Sequence, residues 1–153
     1  MTGTAGSRIT LTLASSLGSV DRIEQTAEQV AREAGIAEDA RFGITMAVRE
    51  AAANAVFHGN HGDPTKQITA SFENTGRSLI FRIADQGEGL DPNAVPDPLA
   101  PENLLRNSGR GIFLIRSFMD EVHFRELHPG TELTLVKHFN AVEQADGHEG
   151  NKA

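Results

Sequence analysis

Apolar and polar positions alternate strictly in Arg8-Ile9-Thr10-Leu11-Thr12-Leu13, which predicts a half-buried strand with Ile9, Leu11 and Leu13 toward the core. The period then changes. Val20, Ile23, Ala27, Val30 and Ala34 recur at spacings of three and four, predicting an amphipathic helix with Ser19 as N-cap and Gly35 as its stop. A second helix is expected from near Glu38, with Ile44, Val48, Ala51 and Ala55 as its packing stripe, ending between Gly59 and Asp63 where glycines and Asp-Pro break it. Two strand-like runs follow, Lys66 to Glu73 and Ser78 to Asp85, joined by the hairpin chemistry of Asn74-Thr75-Gly76-Arg77. Prolines at 92, 96, 98 and 101 then predict an irregular loop from Asp91 to Asn107. A loop of that length inside a compact domain is uncommon unless it covers a ligand, so a lid is expected. Ser108-Gly109-Arg110-Gly111 opens a helix to about Met119, with Ile112, Ile115 and Met119 inward. Strands at about Glu121 to Glu126 and Thr131 to His138 close the pattern. Residues 8–139 are expected to form one domain, with flexible tails at 1–7 and 140–153.

Composition narrows the function classes. At 153 residues and 39% hydrophobic content, one domain with a real core is expected. The 14 basic and 21 acidic residues give a formal charge of −7 with no basic run, which argues against a nucleic-acid partner. There is no cysteine, so disulfide frameworks and thiolate metal sites are excluded. No apolar run approaches the roughly 20 residues that span a bilayer, and no signal-like start is present, so a cytoplasmic chain without a membrane partner is expected.

Three stretches carry chemistry. In Ala47-Val48-Arg49-Glu50-Ala51-Ala52-Ala53-Asn54-Ala55-Val56-Phe57-His58-Gly59, the polar residues Glu50, Asn54 and His58 recur every four positions. On a helix they form one stripe beside alanines that keep the rod stiff. A carboxylate can take a proton from a hydroxyl, a carboxamide oxygen suits a hard cation such as magnesium, and an imidazole can donate to phosphate. Asp85-Gln86-Gly87-Glu88-Gly89-Leu90 follows a strand. Its glycines allow the backbone against a flat ligand, and the carboxylate can accept from an exocyclic amine, which adenine carries. Ser108-Gly109-Arg110-Gly111 offers the free N–H groups of a helix start, and Arg110 a charge, to phosphates. Each stretch also has a plain structural reading: a partly solvated helix edge, a strand-ending turn and a glycine hinge. The order in which the three occur favours a site. His58-x-x-His61 with Asp63 has the spacing of a metal pair, but the helix should break at Gly59, so no such site is expected there.

The series resembles the Bergerat-fold ATP-binding superfamily of gyrase, histidine kinases and heat-shock chaperones. Within it the chain is most similar to the anti-sigma factor serine/threonine kinases of bacterial partner-switching systems. The resemblance rests on residues 49–59, 85–90, Ser108 to Ile112, Phe118-Met119-Asp120-Glu121-Val122 and Gly130-Thr131, and runs from about Arg8 to His138. It implies an α+β two-layer sandwich, in which a mixed, mainly antiparallel five-stranded sheet is covered on one face by about three helices. It also implies that Asn54 holds magnesium, that Glu50 is the catalytic base, and that Asp85 binds the adenine amine with Thr131 in support. His58, Gly87, Gly89, Gly109, Arg110 and Gly111 would complete the nucleotide site, the last three with His58 near the phosphates. Two features depart from the family: the proline-rich lid, whose residues do not match one by one, and Arg110 between the glycines. A histidine kinase would need a phosphoacceptor helix pair for which 153 residues leave no room.

The expected activity is therefore transfer of phosphate from Mg-ATP to a serine or threonine of an anti-sigma factor antagonist. A sigma factor would be a competing partner, and a homodimer is suggested by the resemblance. The alternative is an ATP-binding interaction module that captures a partner without phosphotransfer. Hydrolysis of ATP by water at the same site is a third possibility.

Overall fold

The computed structural model describes residues 6–87 and 109–139. The expected lid at 91–107, the tail at 140–153, most of the tail at 1–7, Gly89, and the side chains of Gly109 and Arg110 lie outside the described residues. Five strands form one sheet: β1 (Ser7–Ala14), β2 (Gln67–Asn74), β3 (Ser78–Ala84), β4 (Glu121–Glu126) and β5 (Thr131–His138). Their order is β1-β2-β3-β5-β4, and all four ladders are antiparallel, in keeping with the expected mainly antiparallel sheet. Among the described residues three α-helices accompany the sheet: α1 (Leu17–Glu33), α2 (Glu38–Ala53) and α3 (Gly109–Phe118).

Alternation along the strands decides which side chains meet the helices. Ile68, Ala70 and Phe72 of β2, Leu79, Phe81 and Ile83 of β3, and Leu133 and Leu135 of β5 are buried in one cluster with the inward residues of the helices. Phe72 and Phe81 are register partners packed edge-to-face, with ring centroids 6.0 Å apart. The helical contribution is the predicted one: Val20, Ile23, Ala27 and Val30 from α1, Ile44, Val48 and Ala51 from α2, and Ile112 and Ile115 from α3, with Met119 just beyond it. Ile9, Leu11 and Leu13 pack against this core but stay half-buried, because β1 is an edge strand.

The start of α1 differs from expectation. Ser16, not Ser19, is the N-cap: its backbone is extended, and its Oγ accepts the Ser19 N–H at 3.2 Å. Two serines three apart both suit a cap, and the extended backbone falls on the first, leaving Ser19 buried in the opening turn. The surface between α1 and α2 is clasped by Arg49, whose guanidinium donates to Asp21 at 2.7 Å and Glu24 at 2.6 Å. Among the described residues no helix is long and apolar enough to cross a membrane.

Candidate nucleotide site

The site is built on one rod, made of α2 and its continuation through residues 54–59. Glu50 lies in the last turn of α2 and is half-buried. Opposite it is the first turn of α3: a Cβ on Gly111 would run into the Glu50 carboxylate. The missing side chain of Gly111 therefore lets an acid stand against a helix start, where the backbone dipole favours negative charge.

At Asn54 the helix widens. Residues Asn54–Gly59 form a π-helix, and the Asn60 N–H donates to the Ala55 carbonyl at 2.9 Å, five residues back instead of four. This corrects the expected uninterrupted α-helical stripe of Glu50, Asn54 and His58. Four-residue spacing aligns side chains only where each turn holds 3.6 residues. Asn54 is half-buried at the junction, whereas His58 lies in the widened turn and is exposed. The widening coincides with a close approach of backbone to side chain, since a Cβ on Gly59 would overlap the Asp85 carboxylate.

Asp85 follows the last residue of β3 and is only 9% exposed. Its N–H donates to the Thr131 carbonyl at 3.0 Å. One carboxylate oxygen, Oδ1, accepts the N–H of Gly87 at 3.0 Å and that of Thr131 at 3.1 Å. The other, Oδ2, faces Gly59 and has no hydrogen-bond partner among the described residues. Thr131 thus supports Asp85 through its main chain. Burial pushes the Asp85 carboxyl above the usual carboxylate range, against the pull of the two amide donors and of the Lys66 and His61 charges. Gly87 and Gly130 close the cradle, for a Cβ on Gly87 would strike the Gly59 carbonyl and one on Gly130 the Asp85 carbonyl. Gly130 also has φ +104°, a conformation that suits glycine.

The structure thus brings Asp85, Gly87 and Thr131 together beside Gly59, and Glu50 against Gly111, with Asn54 between the two ends on the same rod. Sequence reasoning missed Asn60. It is fully buried, accepting the Gln86 N–H at 2.8 Å and donating to Ser15 Oγ at 2.7 Å and the Gln67 carbonyl at 3.0 Å. An asparagine just after a helix reads as a turn residue, and no local signal separates that use from a buried network.

A family model described as a histidine kinase-like ATPase domain matches residues 13–137. The serine-protein kinase RsbW of Staphylococcus epidermidis is 33% identical over 137 residues, 85% of this chain and 86% of the relative. The anti-sigma F factor of Anoxybacillus flavithermus is 34% identical over 100 residues, 62% of this chain and 67% of the relative. The chain belongs to the histidine kinase-like ATPase family and, within it, to the anti-sigma factor serine-protein kinases. Among solved structures, the RsbU and RsbW domains of Rv1364c from Mycobacterium tuberculosis superpose with a TM-score of 0.58 at 15% identity, over 86% of this chain. This chain spans only 32% of that longer one. The mycobacterial sensor histidine kinase MprB gives a TM-score of 0.53 at 15% identity, with 88% and 97% of the two chains covered. Both likenesses concern the fold alone.

Proposed function

We propose that this chain binds Mg-ATP and transfers a phosphoryl group to a serine or threonine of an anti-sigma factor antagonist, with a sigma factor as the competing partner. The observation that carries the reading is Asp85: a buried carboxylate with one oxygen fixed by two amides and the other without a hydrogen-bond partner among the described residues, set where the backbones of Gly59, Gly87 and Gly130 come close around it. Oδ2 is the acceptor for the adenine amine. Gly59, Gly87 and Gly130 let the backbone close in around that carboxylate, and the start of α3, where a helix leaves its first N–H groups without intrahelical partners, suits the phosphates.

Asn54 offers a carboxamide oxygen to magnesium. Among the described residues no three His, Asp or Glu side chains cluster as a metal cage. Magnesium needs none, because it keeps waters and is held largely by substrate phosphates. When bound it neutralises charge on those phosphates. Glu50, four residues before Asn54 on the rod, is the base that accepts the proton of the incoming hydroxyl. Gly111, having no side chain, lets that carboxylate sit against the start of α3.

The test is phosphotransfer from labelled ATP to an antagonist domain. Glu50→Gln is expected to lower transfer by roughly 10²- to 10⁴-fold while ATP affinity, measured by calorimetry, stays within a few-fold of wild type. Equal transfer by wild type and variant would remove Glu50 from the chemistry. Partner capture without any transfer would favour a binding module, and phosphate release without a partner would point to water as the acceptor.

A further inference from the structure

The Asp85 carboxylate is aimed by its frame. The peptide before it is pinned where the Asp85 N–H meets the Thr131 carbonyl at 3.0 Å. The peptide after it is pinned where the Gln86 N–H meets Asn60 Oδ1 at 2.8 Å. With both peptide planes held, the direction of Oδ2 depends on the side-chain torsions alone, and those are fixed by the two amides that donate to Oδ1. Of these four bonds, three join Asp85 itself to backbone groups; in the fourth the acceptor is a side chain, that of Asn60.

Asn60 is itself held without slack. It is fully buried, and its Nδ2 donates both to Ser15 Oγ and to the Gln67 carbonyl, while Ser15 Oγ donates to the Lys66 carbonyl at 2.8 Å. These partners dictate the amide orientation, since a carbonyl must face the NH₂ and an N–H must face the oxygen. Gln86 closes the network, its Oε1 accepting the Gln67 N–H at 2.7 Å. One side chain therefore ties the ends of β1 and β3 and the start of β2 to the π-helical end of the rod.

We infer that Asn60 is the positioning residue for adenine recognition, acting through the Gln86 amide to fix where Asp85 presents Oδ2. The inference rests on the proposed ATP site. Its probe is a pair of nucleotides: ATP, and purine riboside triphosphate, which lacks the exocyclic amine. Wild type is expected to favour ATP roughly tenfold or more, the value of a hydrogen bond to a charged acceptor. Asn60→Ala should bring the ratio to within about threefold of one, chiefly by weakening ATP. Asn60→Asp keeps an oxygen for the Gln86 N–H and gives up the amide donations, so it should retain most of the preference while melting earlier. Val30→Ala, a core substitution toward the far end of α1 from Ser15, should lower the melting temperature and leave the ratio unchanged.

A wild-type ratio in folded Asn60→Ala overturns the inference and leaves the ATP site standing. Should that variant not fold, loss of the preference in Asn60→Asp overturns it equally. A wild-type protein that binds both nucleotides alike overturns the adenine reading and this inference together.

Discussion

The two oxygens of Asp85 are differently placed, and a single-atom change exploits the difference. Oδ1 accepts two amides and Oδ2 faces Gly59 without a partner among the described residues. Asp85→Asn keeps the first arrangement and turns the second oxygen into an N–H donor. ATP affinity is then expected to fall about 100-fold or more, since donor meets donor in a dry site. A base with a carbonyl at that position, as in inosine triphosphate, should bind the variant better than ATP does. Calorimetry with both nucleotides checks this, and an unchanged preference for ATP would separate Asp85 from the base. Folding should not suffer, because removing a buried charge offsets what the carboxylate gains from its donors. Asp85 and Gly87 were legible in the sequence because acid and glycine follow a strand directly. Gly59 and Gly130 as walls of the same cradle, and Asn60 behind it, were not: close approach of distant backbones leaves no mark on local spacing.

Elements were more legible than their ends. The last two strands begin and end where the sequence pattern predicts, at Glu121–Glu126 and Thr131–His138, because period-two patterning survives wherever one face is buried. The helix carrying Glu50 was read correctly in extent, but its change of winding over Asn54–Gly59 was not, since six residues are too few for apolar spacing to separate a π turn from an α turn. The placement of α3 against α2 makes its own prediction. Gly111→Ala would drive a methyl into the Glu50 carboxylate. Alanine is the better helix former by about 1 kcal/mol, and Glu50 can swing aside, so thermal melting should change little. Phosphotransfer should fall at least about tenfold, because a displaced base loses its geometry. Wild-type transfer by this variant would mean that the Glu50 position seen against α3 is not the working one.

Across the whole molecule, the charge on Asp85 joins folding to ligand binding with opposite signs. Burial raises its folded-state pKa above the unfolded value, so the native state holds a proton that the unfolded chain releases sooner. Its contribution to stability is present below the unfolded value and is lost as pH rises through the raised one. Accepting the adenine amine needs the ionised carboxylate, so the contribution of that contact to ATP binding grows over the same interval. Stabilisation by ligand follows affinity. The rise in melting temperature given by saturating Mg-ATP should therefore increase with pH across the Asp85 titration. The phosphates titrate as well, and purine riboside triphosphate carries the same phosphates without the amine. The difference between the two melting shifts isolates Asp85: it should be small below the raised pKa and open above it. Melting curves for both nucleotides across that range decide the matter, because shifts that stay parallel would show that the ionisation of Asp85 and the recognition of the amine are unconnected.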